Sequence, residues 1–167
     1  MTDTDTDTDT GSDTDTGTGT GTGTDTDTGT GLHGLELARE ILDAQPFSRL
    51  LGAEVTAFGD GGAVLELTIR EELRQQNGFV HGGVLSYAAD NAITFAAGTV
   101  LGPAVLTAGY SIDYVRPAVG TTLRARATVL HASRRQAVVR CELLTADGDG
   151  TETLCALAQG TVRTANP

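Results

Sequence analysis

The sequence predicts an α+β domain in which an antiparallel β-sheet wraps around one long central helix. Residues 82–99 are apolar almost all round and contain a single acid, which is typical of a buried helix. Four segments rich in β-branched residues follow this helix, and turn residues separate them. Two short alternating segments precede it. Strands in runs, rather than strands alternating with helices, favour an antiparallel sheet.

The first 31 residues are predicted to be a disordered acidic tail, leaving residues 32–167 as the folded domain. Apart from Met1 and Ser12, the tail consists of Thr, Asp and Gly. It has no side chain whose burial could offset the entropy of ordering it. It carries eight Asp and no basic residue, so removing it changes the net charge from −11 to −3.

Composition excludes several classes of function. A mildly acidic domain is a poor candidate for binding nucleic acid or an anionic membrane. Every basic residue is Arg, and the absence of Lys excludes a Schiff base or a Walker-type lysine. No apolar run is long enough to span a membrane, so a cytoplasmic protein is expected. The scattered His residues predict no metal site, and Cys141 and Cys155 are interpreted as small buried hydrophobic residues.

The elements follow from periodicity and turn signals. Residues 32–45 have apolar positions at helical spacing, and Pro46 ends that helix. Residues 53–58 and 63–69 form a hairpin around a turn rich in Gly, and residues 71–80 form a loop. After the central helix, closed by Gly102 and Pro103, strands are expected at residues 105–115, 121–132, 136–145 and 153–164.

Two glycines, Gly82 and Gly83, precede the central helix. The first N–H groups of a helix have no intrahelical partner and lie at the positive end of its dipole. They can polarise a carbonyl and stabilise an oxyanion, although Gly-Gly can also serve only as a tight entry into the helix. Asp90 favours the first interpretation, because a carboxylate in an apolar helix is costly. No Arg lies within one turn of it, and Thr94 at i+4 can orient it.

The spacing of Gly82 and Asp90 predicts a dimer. Eight residues along a helix correspond to ~12 Å, so one substrate carbonyl cannot reach both groups of the same chain. The two groups can cooperate only if two helices run antiparallel, each bringing its Gly82 end near the other's Asp90. An active site built from these residues therefore requires a symmetric dimer with composite sites.

The segment QQNGFVHGGV at residues 75–84, together with Asp90, resembles the signature of PaaI-like hotdog thioesterases. The segment YVRPA at residues 114–118 is similar to the second half of that family, and the resemblance extends over residues 47–162. It implies the hotdog fold, hydrolysis of an acyl-CoA to free acid and coenzyme A, and no cofactor beyond the coenzyme A of the substrate. It also implies a homodimer, with a homotetramer as the expected larger assembly.

The resemblance assigns roles to individual residues. Asp90 would attack the thioester or activate water, and the Gly82 amide would polarise the carbonyl, helped by His81 and Gln75 of the same subunit. Thr94 would assist the attacking group. His81 has a second interpretation, in which it only holds the loop by hydrogen bonding. Members of the family carry Asp or Glu at the position of Asp90 and Asn or Gln at the position of Gln75. The combination of Asp with Gln leaves the preferred acyl group open.

Other interpretations remain. Arg134 and Arg135, in a turn, are candidates to bind the phosphates of coenzyme A. An α/β-hydrolase is excluded, because residues 109–113 lack the final Gly of the nucleophile elbow. A non-catalytic acyl-CoA-binding module and a hotdog hydratase or dehydratase stay as alternatives. Phe79, Tyr87 and Phe95 are candidates to line an acyl pocket.

Overall fold

The computed structural model describes residues 28–165. Within these residues the chain forms three α-helices, six strands and a short 3₁₀ helix. In chain order they are α1 (Thr28–Asp43), α2 (Pro46–Leu51), β1 (Ala53–Gly59), β2 (Gly62–Thr68), the 3₁₀ helix (Glu71–Leu73), α3 (Gly82–Leu101), β3 (Val105–Tyr114), β4 (Thr122–Ala132), β5 (Gln136–Ala146) and β6 (Glu152–Thr164).

The six strands form one sheet in the order β1-β2-β4-β5-β6-β3, and every neighbouring pair is antiparallel. Helix α3 packs across one face of this sheet and contributes nine buried residues to the core. Small side chains on α3, such as Ala88, Ala92 and Ala96, are fully buried and let the helix lie close to the strands. The predicted α+β architecture, with one long central helix, is confirmed.

Gly160 of β6 packs closely against both strand β3 and helix α3. A Cβ at this position would lie 3.0 Å from Cβ of Tyr110 and 3.1 Å from Cγ2 of Ile93. We expect Gly160→Ala to destabilise the fold by ~1–3 kcal/mol through overpacking. Chemical denaturation would measure the loss. Gly148→Ala is the control, because a Cβ there meets nothing within 4 Å. Equal unfolding midpoints for both variants would contradict the tight packing described here.

The start of the chain differs from the sequence prediction in two places. Helix α1 begins at Thr28, four residues before the predicted domain boundary. Pro46 ends one helix but also begins another, α2, which the sequence did not predict. Proline suits the first helical turn because its missing N–H would have no partner there, and Gly52 ends α2 in the left-handed conformation. The rest of the predicted tail, residues 1–27, lies outside the described residues.

The two edges of the sheet are different. Helix α1 covers the β1 edge, where the Arg39 Nε donates a hydrogen bond of 3.0 Å to the Val55 carbonyl. At the other edge, β3 pairs only with β6 within residues 28–165. Large apolar side chains along and just after β3 are exposed, including Leu106, Tyr114 and Val115. A long apolar edge strand of this kind is a template for pairing with another chain.

The described helices include none that is both long and apolar enough to cross a bilayer. Cys141 and Cys155 are free and buried, which confirms their interpretation as small core residues. Burial raises the pKa of the Cys141 thiol to about 12 and that of Cys155 to about 11. Both thiols stay protonated at neutral pH, and neither can serve as a nucleophile there.

Candidate active site

The start of α3 presents one free backbone donor. His81 is the N-cap residue, and its Nδ1 accepts a hydrogen bond of 2.9 Å from the Gly83 N–H. The Gly83 donor is therefore occupied, whereas the sequence suggested that both glycine donors were open. For the Gly82 N–H, the described part of the chain offers no acceptor. The unsatisfied donor at the positive end of α3 is the Gly82 amide.

Gln75 lines the same cavity as this amide. The loop before α3 folds back on itself, with the Gln75 N–H donating to the Phe79 carbonyl at 2.8 Å. The Asn77 side chain donates to Oε1 of Gln75 at 3.3 Å, which leaves the Gln75 amide N–H groups to act as donors. Gln75, Phe79, Gly82 and Tyr114 line a cavity of about 600 Å³, called the Gly82 cavity below. His81 contributes nothing to its lining.

Asp90, eight residues further along α3, is held by a residue that the sequence argument missed. The Thr107 hydroxyl on β3 donates a hydrogen bond of 2.7 Å to Oδ1 of Asp90. Thr94 contacts the Asp90 backbone carbonyl at 2.9 Å and the Thr107 hydroxyl at 2.8 Å. The carboxylate is therefore oriented directly by Thr107, and Thr94 acts on it only through Thr107.

The direction of these bonds follows from the chemistry of the groups. An ionised carboxylate only accepts, so the single Thr107 proton is committed to Asp90. The Thr107 oxygen is then the acceptor in its contact with Thr94, whose single proton is shared between this oxygen and the Asp90 backbone carbonyl. Such a chain polarises each hydroxyl along it and strengthens the bond to the carboxylate.

A bulge in β3 puts the whole strand in register with α3. The pairing with β6 shifts between Thr107 and Gly109. Odd-numbered residues face the helix before this shift, and even-numbered residues face it after the shift. Thr107 reaches Asp90, the Tyr110 hydroxyl donates to the Ser86 carbonyl at 3.3 Å, and the Tyr114 hydroxyl donates to the Gly82 carbonyl at 3.0 Å. The three helix positions are four residues apart and form one stripe.

The predicted site residues fall into two cavities along this stripe. Asp90, Thr94 and Thr107 line a second cavity of about 530 Å³, called the Asp90 cavity below. Gln75 and Gly82 line the other. Arg134 and Arg135 lie in the exposed turn between β4 and β5 and line neither cavity. Among the aromatic candidates, Phe79 lines the Gly82 cavity and Phe95 the Asp90 cavity, while Tyr87 packs edge-on against Phe47.

Across residues 28–165, no three His, Cys, Asp or Glu side chains are grouped so that they could hold a metal ion. The groups available for chemistry are the Asp90 carboxylate, two threonine hydroxyls and the Gly82 amide. A carboxylate can take a proton from water, and a helix N-terminal amide can stabilise an oxyanion. Together these groups suit hydrolysis of an acyl compound.

Comparison with known proteins agrees with this chemistry. The profile of the thioesterase superfamily matches residues 77–152, which include Gly82, Asp90 and Thr107. The acyl-coenzyme A thioesterase PaaI of Escherichia coli (strain K12) is 30% identical over 98 residues, which are 58% of this chain and 69% of that protein.

Solved structures share the architecture. A thioesterase family protein from Silicibacter pomeroyi matches with a TM-score of 0.73 at 27% identity, covering 78% of this chain and 96% of that one. The PaaI structure from E. coli matches with a TM-score of 0.70 at 23% identity, covering 80% and 94%, and at this identity shows the fold alone. The chain therefore belongs to the thioesterase superfamily, as a PaaI-like thioesterase with the hotdog fold.

Proposed function

We propose that this chain hydrolyses the thioester bond of an acyl-CoA, giving the free acid and coenzyme A. The observation that carries the proposal is the Asp90 carboxylate, fixed by Thr107 at the wall of a cavity on the same helix whose first amide is free. The relative from E. coli is named an acyl-coenzyme A thioesterase, which supports the substrate class. Acyl-CoA esters occur inside cells, and we place the activity in the cytoplasm.

The active unit is a homodimer with composite sites. Gly82 and Asp90 lie ~12 Å apart along α3 and line separate cavities, so one chain offers no place where both reach the same carbonyl. Each cavity holds half of the groups that the reaction needs. A second copy that brings its Asp90 cavity to the Gly82 cavity completes the site.

Strand β3 supplies the surface for this pairing. Its start contacts Asp90 through Thr107, and its end contacts Gly82 through Tyr114. When two copies of β3 pair antiparallel about a twofold axis, the start of one strand lies against the end of the other. The Asp90 of one subunit thereby approaches the Gly82 of its partner, and the exposed apolar edge becomes covered. Further association into a dimer of dimers stays a prediction.

In the proposed reaction, Asp90 acts as the general base. It takes a proton from water as the water oxygen bonds to the thioester carbonyl carbon, and the carbonyl oxygen becomes an oxyanion. The partner's Gly82 amide donates to this oxyanion, with Gln75 beside it. The carbon–sulfur bond then breaks, the proton goes to the departing coenzyme A thiolate, and the free acid remains. The Thr107 bond keeps the carboxylate oriented throughout.

Thr107 is expected to act as a positioning residue. Replacing it with Val removes the hydrogen bond to Asp90 at nearly constant size, and a bond to a charged group is worth ~1.5–3 kcal/mol, or roughly 10–100-fold in kcat. Steady-state kinetics should show the loss in kcat with little change in KM. Thr107→Ser keeps the hydroxyl and should restore most of the rate. If Thr107→Ser is as slow as Thr107→Val, packing rather than the hydroxyl is responsible.

The overall function is tested with a panel of straight-chain and aromatic acyl-CoA esters, following release of the free thiol. Turnover of at least one ester in catalytic excess over the enzyme is the expected result. Tight binding without thiol release from any ester would instead identify a binding module.

A hydratase is disfavoured by the placement of His131, which is exposed on β4 and lines neither cavity. Binding of the substrate phosphates by Arg134 and Arg135 is part of the proposal, supported by their exposed position.

A further inference from the structure

We infer that the acyl group of the substrate occupies the Asp90 cavity, that α1 forms one wall of it, and that Gly98 sets how long an acyl group it accepts. This inference rests on the proposed thioester hydrolysis and names the substrate class, which is apolar acyl groups longer than acetyl. Helix α1 lies outside the region matched by the superfamily profile, so this wall is not supplied by the matched region.

The wall from α1 is an apolar face of that helix. Gly34, Leu37 and Ile41 line the cavity and follow one another at helical spacing. Both large side chains are partly exposed, Leu37 by 51% and Ile41 by 38%. At Gly34, α1 passes close to Phe58, since a Cβ there would lie in ordinary contact, 3.5 Å from the ring. An apolar occupant of the cavity would cover both side chains.

Two aromatic side chains add to the apolar lining of the cavity. Phe58 and Phe95 meet edge to face with centroids 6.4 Å apart, and both line the cavity. The Thr99 hydroxyl already donates to the Ala96 carbonyl at 2.7 Å, so its proton is not offered to a ligand. The polar groups Asp90, Thr94 and Thr107 are bonded to one another at one side. This arrangement suits a thioester carbonyl at the carboxylate and a hydrocarbon group extending away from it.

Gly98 lies on α3 at the far part of the cavity. It is eight residues beyond Asp90, which corresponds to ~12 Å along the helix, much longer than an acetyl group. A Cβ at Gly98 would meet nothing within 4 Å, so the glycine leaves open space rather than allowing a close contact. The volume of about 530 Å³ lies within the range of small-molecule pockets. A larger side chain at this position would fill the space that a longer acyl group needs.

The test compares acetyl-, butyryl-, hexanoyl- and octanoyl-CoA. For the wild type, each added methylene should raise kcat/KM by about fourfold until the cavity is filled. Gly98→Leu should lower the octanoyl-to-acetyl ratio of kcat/KM by roughly tenfold or more. The substitution suits the fold, because Leu favours a helix more than Gly does. Leu37→Ala should lower the same ratio several-fold by removing part of the wall.

The matched control is Leu50→Ala. Leu50 is 67% exposed on α2 and lines neither cavity, so the ratio should stay at the wild-type value. The octanoyl-to-acetyl ratio is also determined for binding, from dissociation constants measured by calorimetry in the Asp90→Asn background. This second measurement decides the inference even if no ester is hydrolysed. An unchanged ratio in Gly98→Leu, by rates and by binding, overturns the inference while leaving the hydrolytic function intact. If no ester releases free thiol but Gly98→Leu still changes the octanoyl-to-acetyl ratio of dissociation constants, only the hydrolytic function is overturned.

Discussion

Replacing Asp90 with Asn is expected to lower kcat for acyl-CoA hydrolysis by ~10²–10⁴-fold, the usual contribution of a general base. Asn has the shape of Asp and still offers Oδ1 to the Thr107 hydroxyl, so the local geometry should survive. What disappears is the capacity to take a proton from water. The loss should therefore appear in kcat, measured by thiol release at saturating substrate, with KM changed much less.

The control for this variant is Asp60→Asn. Asp60 lies in the turn between β1 and β2 with φ of 50°, a conformation that Asn adopts readily, and it lines neither cavity. The Asp60→Asn protein should hydrolyse substrate at the wild-type rate. Both variants should unfold at the wild-type denaturant midpoint. A catalytically normal Asp90→Asn protein would rule out Asp90 as the base, whatever the substrate.

Removing the Gly82 N–H is expected to cause the second large loss of kcat. Gly82→Pro deletes this one donor at the first helical position, where proline is well tolerated, and the preceding His81 already has the extended conformation that proline requires. Loss of one oxyanion donor lowers kcat by ~10²–10³-fold. Gly82→Ala is the matched control. It keeps the N–H and adds the same Cβ, which would lie at an ordinary 3.4 Å from the Tyr114 hydroxyl.

The same variant tests the dimer. Neither Gly82→Pro nor Asp90→Asn chains should be active alone, but refolding them together in equal amounts should restore about a quarter of wild-type activity. Half of the dimers are then mixed, and each mixed dimer has one site with an intact Gly82 and an intact Asp90. Chains tagged differently allow the mixed dimer to be isolated and measured. If the isolated mixed dimer is no more active than its parents, each site is built within one subunit.

Most of the fold could be predicted from the sequence because the long apolar helix and the alternating strands are local patterns. The predicted ends of the six strands differ from the observed ends by no more than one residue. Helix α2 was missed because Pro46 is compatible with both the end of one helix and the first turn of the next. That ambiguity cannot be resolved from residue types alone.

Only part of the candidate site could be predicted from the sequence. Asp90 and Gly82 stand out in the sequence, because one is a charge in an apolar helix and the other precedes that helix. Thr107 does not stand out, since a threonine is ordinary in a strand. Its role depends on the bulge after it, which decides which residues of β3 face α3. The walls of the Asp90 cavity were equally hidden, because α1 and α3 are far apart in sequence and line one cavity only through the tertiary fold.

The stripe of hydrogen bonds between β3 and α3 has a consequence for how the two sites of the proposed dimer behave. Helix α3 carries the amide of one site and the carboxylate of the other, and Tyr114, Tyr110 and Thr107 fasten it along its length. A displacement of this helix therefore cannot be confined to one site. Any shift of α3 on substrate binding at one site changes the geometry of the other site, which couples the two binding free energies and predicts cooperative binding curves.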